Sequence, residues 1–318
     1  MGGGTSVNAG LYIAPPDSDW DSWGIASWSS ANINQSAVAL QAICGRGESV
    51  TSTDGQLYLQ SSYNAMSKWL AGAGYSEVDI NGQQNSKSKV APFNAPHWRS
   101  FCYRGADRSQ VYGHSEFDYS GGQRGGPVTN YLQGFLANGD RTALAQFANV
   151  TRVIRSGGKA SGVEVLHCNP SAPSSCQQVN VSVSDNLGQV ILSAGSLSTP
   201  KILYFSGIGP SDILNRLGSA GQLTMPSADW LVNEHVGSGL YDNPNTFLVL
   251  QSPDVQSYGF GYNGNGVGVL PNDLSAYADH RSGPYASPGQ TGLFWDSVNS
   301  TGGRKVGVMP MVFLVLTL

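Results

Sequence analysis

The sequence has few charged residues and no block of like charge. Only 12% of its 318 residues are Asp, Glu, Lys or Arg, and the net charge is −4 with 17 basic residues. A nucleic-acid partner would need a basic face to neutralise phosphates, so the composition argues against that class of partner. A weakly acidic chain rich in Gly, Ser and Asn fits an extracellular protein that handles neutral solutes.

Long apolar runs and internal repeats are also missing. The apolar segment at residues 308–318 contains Pro310 and is shorter than the roughly 20 residues of a membrane-spanning helix, so we expect a core strand there. No repeat typical of solenoids is visible. Met1 is followed directly by glycines, so no secretory signal opens the chain. We expect no membrane partner, and we expect both termini to be interruptions of a longer coding sequence.

Cysteine is scarce, with four residues and no C-x-x-C pair, which argues against a metal site. Cys168 and Cys176 flank a polar, turn-rich loop whose ends could meet in a disulfide, and Cys44 with Cys102 would form the second pair. Four buried free thiols are the alternative. Four N-x-S/T acceptors agree with secretion; they begin at Asn34, Asn149, Asn180 and Asn299.

The most informative stretch is residues 188–209, G-Q-V-I-L-S-A-G-S-L-S-T-P-K-I-L-Y-F-S-G-I-G. Its apolar run at 190–192 predicts a strand of a parallel sheet covered on both faces. A helix should follow, with Ser198 or Thr199 as its cap, Pro200 at its first position and a stop at 206–207. Such a strand-turn-helix unit predicts a cofactor site, because small polar or anionic ligands bind beyond the strand. A purely structural unit is the alternative.

Two spaced motifs resemble signatures of the glucose-methanol-choline (GMC) flavoprotein oxidoreductases. The pattern G-S-x-x-T-P-x-I-L-x-x-S-G-I-G at 195–209 is similar to the second signature of that family. The segment G-G-G-T-S-V-N at 2–8, followed by Tyr12, Pro15 and Asp21, resembles the first signature from its paired glycines onward. The resemblance implies FAD as the cofactor.

The resemblance also implies which residues contact FAD. They lie in the glycine-rich N-terminal segment, in a strand expected beside the adenine, and in the turn before the predicted helix: Gly3, Gly4, Thr5, Asn8, Ala9, Gly10, Val150, Ala194 and Gly195. An ordinary core valine is the alternative for Val150. The family holds the FAD pyrophosphate with an upstream G-x-G-x-x-G that follows a strand, and no G-x-G-x-x-G in this sequence follows a predicted strand. Met1 replaces an aliphatic signature residue. We therefore expect Met1 to be an internal residue of a longer protein.

The fold that the resemblance implies is α/β plus α+β, with a partial Rossmann-like FAD-binding domain and an antiparallel-sheet substrate domain. We expect FAD-binding parts at 1–40 and 116–222, a helical and loop insertion at 41–115, and the start of the substrate domain at 223–318. The periodicity itself predicts a helix at 56–71. It also predicts a hairpin of strands 147–155 and 159–166 across the turn Ser156-Gly157-Gly158.

Within the family, the sequence most resembles the flavin domain of fungal cellobiose dehydrogenases. The shared segments are 52–56, 117–119, 122–128, 131–132, 188–209 and 294–295. This likeness implies hydride transfer from a CH–OH group of a sugar or alcohol to FAD, with oxygen, a quinone or a cytochrome as electron acceptor. Trp295 could offer a platform for a sugar ring, with a core aromatic as the alternative, and Phe294 is expected in the core.

No catalytic residue is predicted. Members of the family take their histidine base from a C-terminal part, and none of the five histidines matches that motif: His97, His114, His167, His235 and His280. A catalytically inactive, GMC-derived sugar-binding protein is the main alternative, and an unrelated α+β protein is a third. The segment G-H-S-E-F at 113–117 fails as a hydrolase motif because G-x-S-x-G requires a final glycine.

Overall fold

The structure is a computed structural model that contains both helices and antiparallel sheets, which confirms the predicted mixed fold class. It describes residues 2–13, 15, 17–44, 50–78, 110–139, 142–185, 187–242, 252–256, 258, 271–287, 292–299 and 305–308. The chain divides into two compact units, residues 1–137 with 248–318 and residues 138–247. The domain boundaries drawn from the sequence stay predictions.

The described helices are short. The α-helices are α1 (Asp17–Asp21), α2 (Ser30–Cys44), α3 (Ser61–Gly72), α4 (Gln133–Ala137), α5 (Gly195–Phe205), α6 (Ser211–Ser219) and α7 (Pro271–His280). Single 3₁₀ turns cover Gly3–Ser6, Ala26–Trp28, Ser227–Asp229 and Pro284–Ala286, and a π-helical turn, Val128–Leu132, precedes α4.

The described strands form four small sheets. They are β1 (Ser76–Glu77), β2 (Val111–His114), β3 (Tyr119–Ser120), β4 (Gln123–Arg124), β5 (Ala148–Ser156), β6 (Lys159–Asn169), β7 (Ala172–Ser182), β8 (Ile208–Gly209), β9 (Leu231–Val232), β10 (Gly292–Asn299) and β11 (Lys305–Val308). The strand orders are β1-β2-β10-β11, β3-β4, β5-β6-β7 and β8-β9.

The core of the first unit lies on both faces of the sheet that contains β2 and β10. These strands pair antiparallel, with Trp295 opposite Val111. Because side chains alternate along a strand, Leu293 and Trp295 pack on one face with Val78 and Val111. Phe294 points to the other face, where α3 supplies the buried residues Tyr63, Met66 and Leu70. Phe294 is half-buried and packs against this cluster, whereas Trp295 is buried, so the expectation that Phe294 is the core member of the two is wrong.

Helix α3 begins five residues later than the sequence predicts. Ser61, not Gln56, is its first residue. The reason lies in Asp54, whose Oδ1 accepts hydrogen bonds from the Ser52 hydroxyl at 2.7 Å and from the Gln56 N–H at 3.0 Å. An Asp that bonds the N–H two residues onward stabilises a turn and competes with helix formation.

The second unit is built on a three-stranded antiparallel sheet. Its first two strands, β5 and β6, confirm the predicted hairpin, and β7 adds a third strand next to β6. Cys168 of β6 lies opposite Cys176 of β7, and the two form the expected disulfide. The other expected pair involves Cys102, which lies outside the described residues.

The segment before α5 corrects one prediction. Residues 190–192 form no strand, and Ile191 is 82% exposed. A strand covered on both faces needs neighbouring strands for its backbone N–H and C=O groups, and no described strand pairs with this segment. The apolar run is therefore compatible with a buried strand, but the neighbouring strands that such a strand needs are not among the described ones.

Helix α5 itself is confirmed with its stop, because it ends at Phe205 and Gly207 follows with a φ of 70°. Its start differs, since Gly195 opens the helix and Pro200 is an interior residue. The Thr199 hydroxyl accepts a hydrogen bond from the Ala194 N–H at 3.0 Å. The N-cap residue is Ala194, so the predicted cap at Ser198 or Thr199 is wrong, and the Thr199 hydroxyl instead holds the Ala194 N–H from within the helix.

Candidate functional site

The glycine-rich loop, residues 2–10, belongs to the first unit and is mostly exposed, with Gly10 buried at its end. Its 3₁₀ turn is closed by the Thr5 hydroxyl, which donates to the Gly2 carbonyl at 2.6 Å, and by the Asn8 N–H, which donates to the Gly4 carbonyl at 2.8 Å. Gly3 and Gly4 are exposed, and outside the adjacent residues no heavy atom lies within 4 Å of the position that a Cβ would take on either. A ligand can therefore reach the backbone of this loop directly.

Gly10 anchors the end of the loop. It is buried with a φ of +72°, and a Cβ there would lie 2.6 Å from the Tyr119 ring. Its N–H donates to Asn8 Oδ1 at 2.9 Å, and its carbonyl accepts from the Asp118 N–H at 2.7 Å. Both the backbone angle and the close approach to Tyr119 require glycine.

Arg124 joins the glycine-rich loop to the β3–β4 hairpin. Its Nη1 donates to the Thr5 carbonyl at 3.2 Å and to Asn8 Oδ1 at 2.7 Å, and its Nη2 donates to the Asn8 carbonyl at 2.6 Å. The guanidinium carbon lies 5.2 Å from the centre of the Tyr119 ring. The sequence shows Arg124 only as a member of the 122–128 motif, and no local pattern connects it to Asn8, 116 positions earlier.

The other predicted contacts belong to the second unit. Ala194 and Gly195 are exposed, and Gly195 has a φ of +88° with no heavy atom within 4 Å of its Cβ position. Val150 is half-buried on β5, opposite Val165 of β6. The backbone around Gly195 is therefore as open to a ligand as that of Gly3 and Gly4 in the first unit.

Helix α5 is tied to strand β5 at its C-terminal end. The fully buried Ser206 hydroxyl accepts from the Val153 N–H at 2.8 Å and donates to the Ile202 carbonyl at 2.6 Å. Arg155 Nε donates to the Ser206 carbonyl at 2.7 Å. These bonds fix the strand that carries Val150 against the C-terminal end of α5, and Gly195 lies at the opposite end of that helix.

Trp295 lies in the core of the first unit. Its exposed fraction is 8%, and it packs with Val78, Val111 and Leu293. A sugar platform needs an exposed ring face, so this position is that of the core aromatic, the alternative drawn from the sequence. In this arrangement Trp295 has no accessible ring face for the predicted contact with a sugar.

The described histidines lie in different surroundings. His114 stacks on Tyr63 with 3.5 Å between ring centres, and burial lowers its pKa while the charge of Glu77 partly opposes that shift. His167 is exposed on β6, His235 is exposed in a turn, and His280 ends α7. His97 lies outside the described residues.

The geometry of the described residues does not fit two other classes of site, a metal centre and a serine nucleophile. Across the described ranges, no three His, Cys, Asp or Glu side chains are grouped to hold a metal ion. Ser115 is 2% exposed after β2, and the hydroxyl is buried, unlike a nucleophile presented to substrate. None of the described helices has the length and apolar character needed to cross a membrane.

Comparison with known proteins gives a family match over most of the chain. The family model described as GMC oxidoreductase matches residues 1–245. An oxygen-dependent choline dehydrogenase of Rhizobium johnstonii is 24% identical over 241 residues, covering 74% of this chain and 38% of the relative. The GMC oxidoreductase family protein Mala s 12 of Malassezia sympodialis is 24% identical over 258 residues, covering 77% of this chain and 39% of the relative. The chain thus spans about two fifths of the length of these relatives.

A solved structure supports the same fold. The FAD-dependent oxidoreductase from Chaetomium thermophilum superposes with a TM-score of 0.53 at 20% identity, covering 92% of this chain and 48% of that one. The family's cofactor is FAD, as the two sequence signatures imply. Because the family model matches more than half of the residues, the chain belongs to the GMC oxidoreductase family.

Proposed function

We propose that this chain is the flavin-binding part of an oxidoreductase that oxidises a CH–OH group of a sugar or alcohol, with cellobiose dehydrogenase-like specificity. The observation that carries the proposal is the open glycine backbone of the glycine-rich loop, whose signature sequence is held in a defined conformation by Asn8, Tyr119 and Arg124. When bound, FAD accepts the hydride from the substrate carbon. The sugar specificity rests on the sequence likeness alone.

The residues present fit FAD. The backbone is unobstructed at Gly3, Gly4 and Gly195, where no atom other than those of adjacent residues and the local helix backbone lies within 4 Å of a Cβ position. The glycine-rich loop contains no Asp or Glu that would repel an anionic cofactor. The residues proposed to hold the cofactor are Gly3, Gly4, Thr5, Asn8, Ala9 and Gly10 in the first unit, and Val150, Ala194 and Gly195 in the second.

The proposed partners are a small sugar or alcohol and an electron acceptor, which is oxygen, a quinone or a cytochrome. We propose that the protein is extracellular and has neither a nucleic-acid nor a membrane partner. The Cys168–Cys176 disulfide supports an oxidising compartment. Asn149 and Asn180 are exposed glycosylation acceptors on β5 and β7, which agrees with secretion.

An inactive sugar-binding protein is the second candidate function. A tryptophan cluster in the first unit favours it: the ring centres of Trp20 and Trp23 lie 5.0 Å apart, and those of Trp23 and Trp28 lie 5.7 Å apart. Trp23 is 53% exposed and Trp28 is 48% exposed, while Trp20 lines an apolar cleft of about 250 Å³ with Tyr12. Exposed indole faces suit the apolar faces of sugar rings.

Anaerobic reduction distinguishes the two functions. The protein loaded with FAD is mixed with cellobiose, glucose, choline or a primary alcohol, and bleaching of the visible flavin band is followed. We expect at least one CH–OH donor to reduce the flavin of the whole oxidoreductase to which this flavin-binding part belongs, since no histidine of this chain matches the family's catalytic base. Sugar binding without any reduction, abolished by Trp23→Ala, would favour the inactive protein, and neither binding nor reduction would contradict both functions.

A further inference from the structure

Arg124 holds the glycine-rich loop through three hydrogen bonds. Its two terminal nitrogens hold three oxygens of the loop, the Thr5 carbonyl, the Asn8 carbonyl and Asn8 Oδ1, at 2.6–3.2 Å. The bonds of a guanidinium to such oxygens are charge-assisted and stronger than neutral ones. They join two segments that lie 116 residues apart in the sequence.

The contacts on Asn8 fix its backbone as well as its side chain. Asn8 Oδ1 accepts from Arg124 and also from the Gly10 N–H at 2.9 Å, so one amide oxygen links the arginine to the end of the loop. In a trans peptide the C=O and the next N–H point in opposite directions. Because the Asn8 carbonyl points at Arg124, the Ala9 N–H points away from it.

The β3–β4 hairpin also holds Arg124 itself in place. Tyr119 lies under the guanidinium at 5.2 Å from its ring centre, and the same ring contacts Gly10 so closely that a Cβ there would be 2.6 Å away. The Gly125 N–H donates to the Asp118 carbonyl at 2.7 Å, which closes the hairpin beside Arg124. The position of Arg124 is therefore set independently of any ligand.

From this geometry we infer that Arg124 is a positioning residue for the flavin. By holding the Thr5 and Asn8 carbonyls, it turns the Ala9 N–H to the opposite face of the glycine-rich loop, which is the face that we assign to the cofactor. Arg124 acts through the loop and does not itself contact FAD. The inference rests on the proposed flavin site, but the ordering of the loop by Arg124 is a property of the protein without ligand.

Arg124→Lys is the first test variant, because it keeps the charge but cannot hold three oxygens in the planar arrangement of a guanidinium. Hydrogen exchange without flavin is expected to become about tenfold faster at the Asn8 and Gly10 amides. The Val78 amide, which donates to the Tyr112 carbonyl at 2.8 Å in the same unit, should be unchanged. A general loss of folding would accelerate hydrogen exchange at the Val78 amide as well.

The second part of the test measures the FAD dissociation constant by fluorescence quenching. Arg124→Lys is expected to raise it by about 10- to 100-fold, since a misplaced loop no longer fits the cofactor. Asn8→Ala removes the acceptor shared with Gly10, so the double variant should raise the constant by less than the product of the single effects. Arg216→Lys is the matched control, because it makes the same substitution at an arginine of α6 that bonds Asp212 one helical turn earlier, with both side chains about 70% exposed.

The outcomes separate the two claims. Unchanged exchange at Asn8 and Gly10 in Arg124→Lys would overturn the role of Arg124. Faster exchange with an unchanged FAD dissociation constant would also overturn it, since loop order would then not matter for the cofactor. If the unsubstituted protein binds no FAD, the proposed function fails, and the exchange rates alone decide whether Arg124 orders the loop.

Discussion

Trp295→Ala is expected to lower the free energy of unfolding by about 3–5 kcal/mol, the usual cost of removing a large aromatic side chain from a core. The ring is 8% exposed and packs with Val78, Val111 and Leu293, so its removal leaves a cavity on one face of the sheet. Urea unfolding followed by circular dichroism measures the loss. Trp295→Phe should recover part of it because much of the apolar contact is kept.

The control is a tryptophan with an exposed ring in the same unit. Trp23→Ala should cost under about 1.5 kcal/mol, because Trp23 is 53% exposed and loses mainly its aromatic contacts with Trp20 and Trp28. If Trp295→Ala left stability unchanged and instead weakened sugar binding, Trp295 would be the sugar platform expected from the sequence and its buried position would be contradicted.

Arg155→Ala is the second substitution with a large expected effect. The Arg155 guanidinium donates to the carbonyls of Ser206, Gly207, Gly157 and Asp229 at 2.6–3.1 Å, so it joins the β5–β6 turn to the end of α5 and to the 3₁₀ turn at 227–229. A cation is also favourable beside helix C-terminal carbonyls. Losing these charge-assisted bonds should cost about 2–4 kcal/mol of unfolding free energy.

Arg216 gives a matched control in the same unit. It pairs with Asp212 one helical turn earlier, and both side chains are about 70% exposed. Exposed pairs of this kind contribute little, so Arg216→Ala should change stability by under about 0.5 kcal/mol. Thermal and urea unfolding of both variants measure the difference. Equal losses in the two variants would show that Arg155 does not join these elements.

The elements predicted correctly from the sequence are those whose causes are local. The β5–β6 hairpin follows from alternating residues around a glycine turn, and α5 follows from its stop at Gly207. The strand predicted at residues 190–192 is wrong because a strand needs neighbouring strands to pair with, and hydrophobic periodicity does not show whether they exist. The predicted start of α3 at Gln56 is wrong because the turn that Asp54 stabilises competes with the helix there.

The candidate site shows the same limit. The spaced signatures identified the glycine-rich loop and the Ala194-Gly195 turn, since glycine at a fixed spacing is visible in sequence. Arg124 and Arg155 were not assigned roles, because their partners are backbone carbonyls distant in sequence and carry no residue-type signal. Trp295 could be placed in the core only once the pairing of β10 with β2 was known.

Hydrogen exchange with and without FAD tests the central claim most directly. The account predicts slower exchange on FAD addition at the amides of residues 3–10 and at Ala194 and Gly195, the two open glycine segments. Saturating FAD that leaves both segments unchanged, or that slows exchange only elsewhere, would contradict the proposed flavin site in this chain.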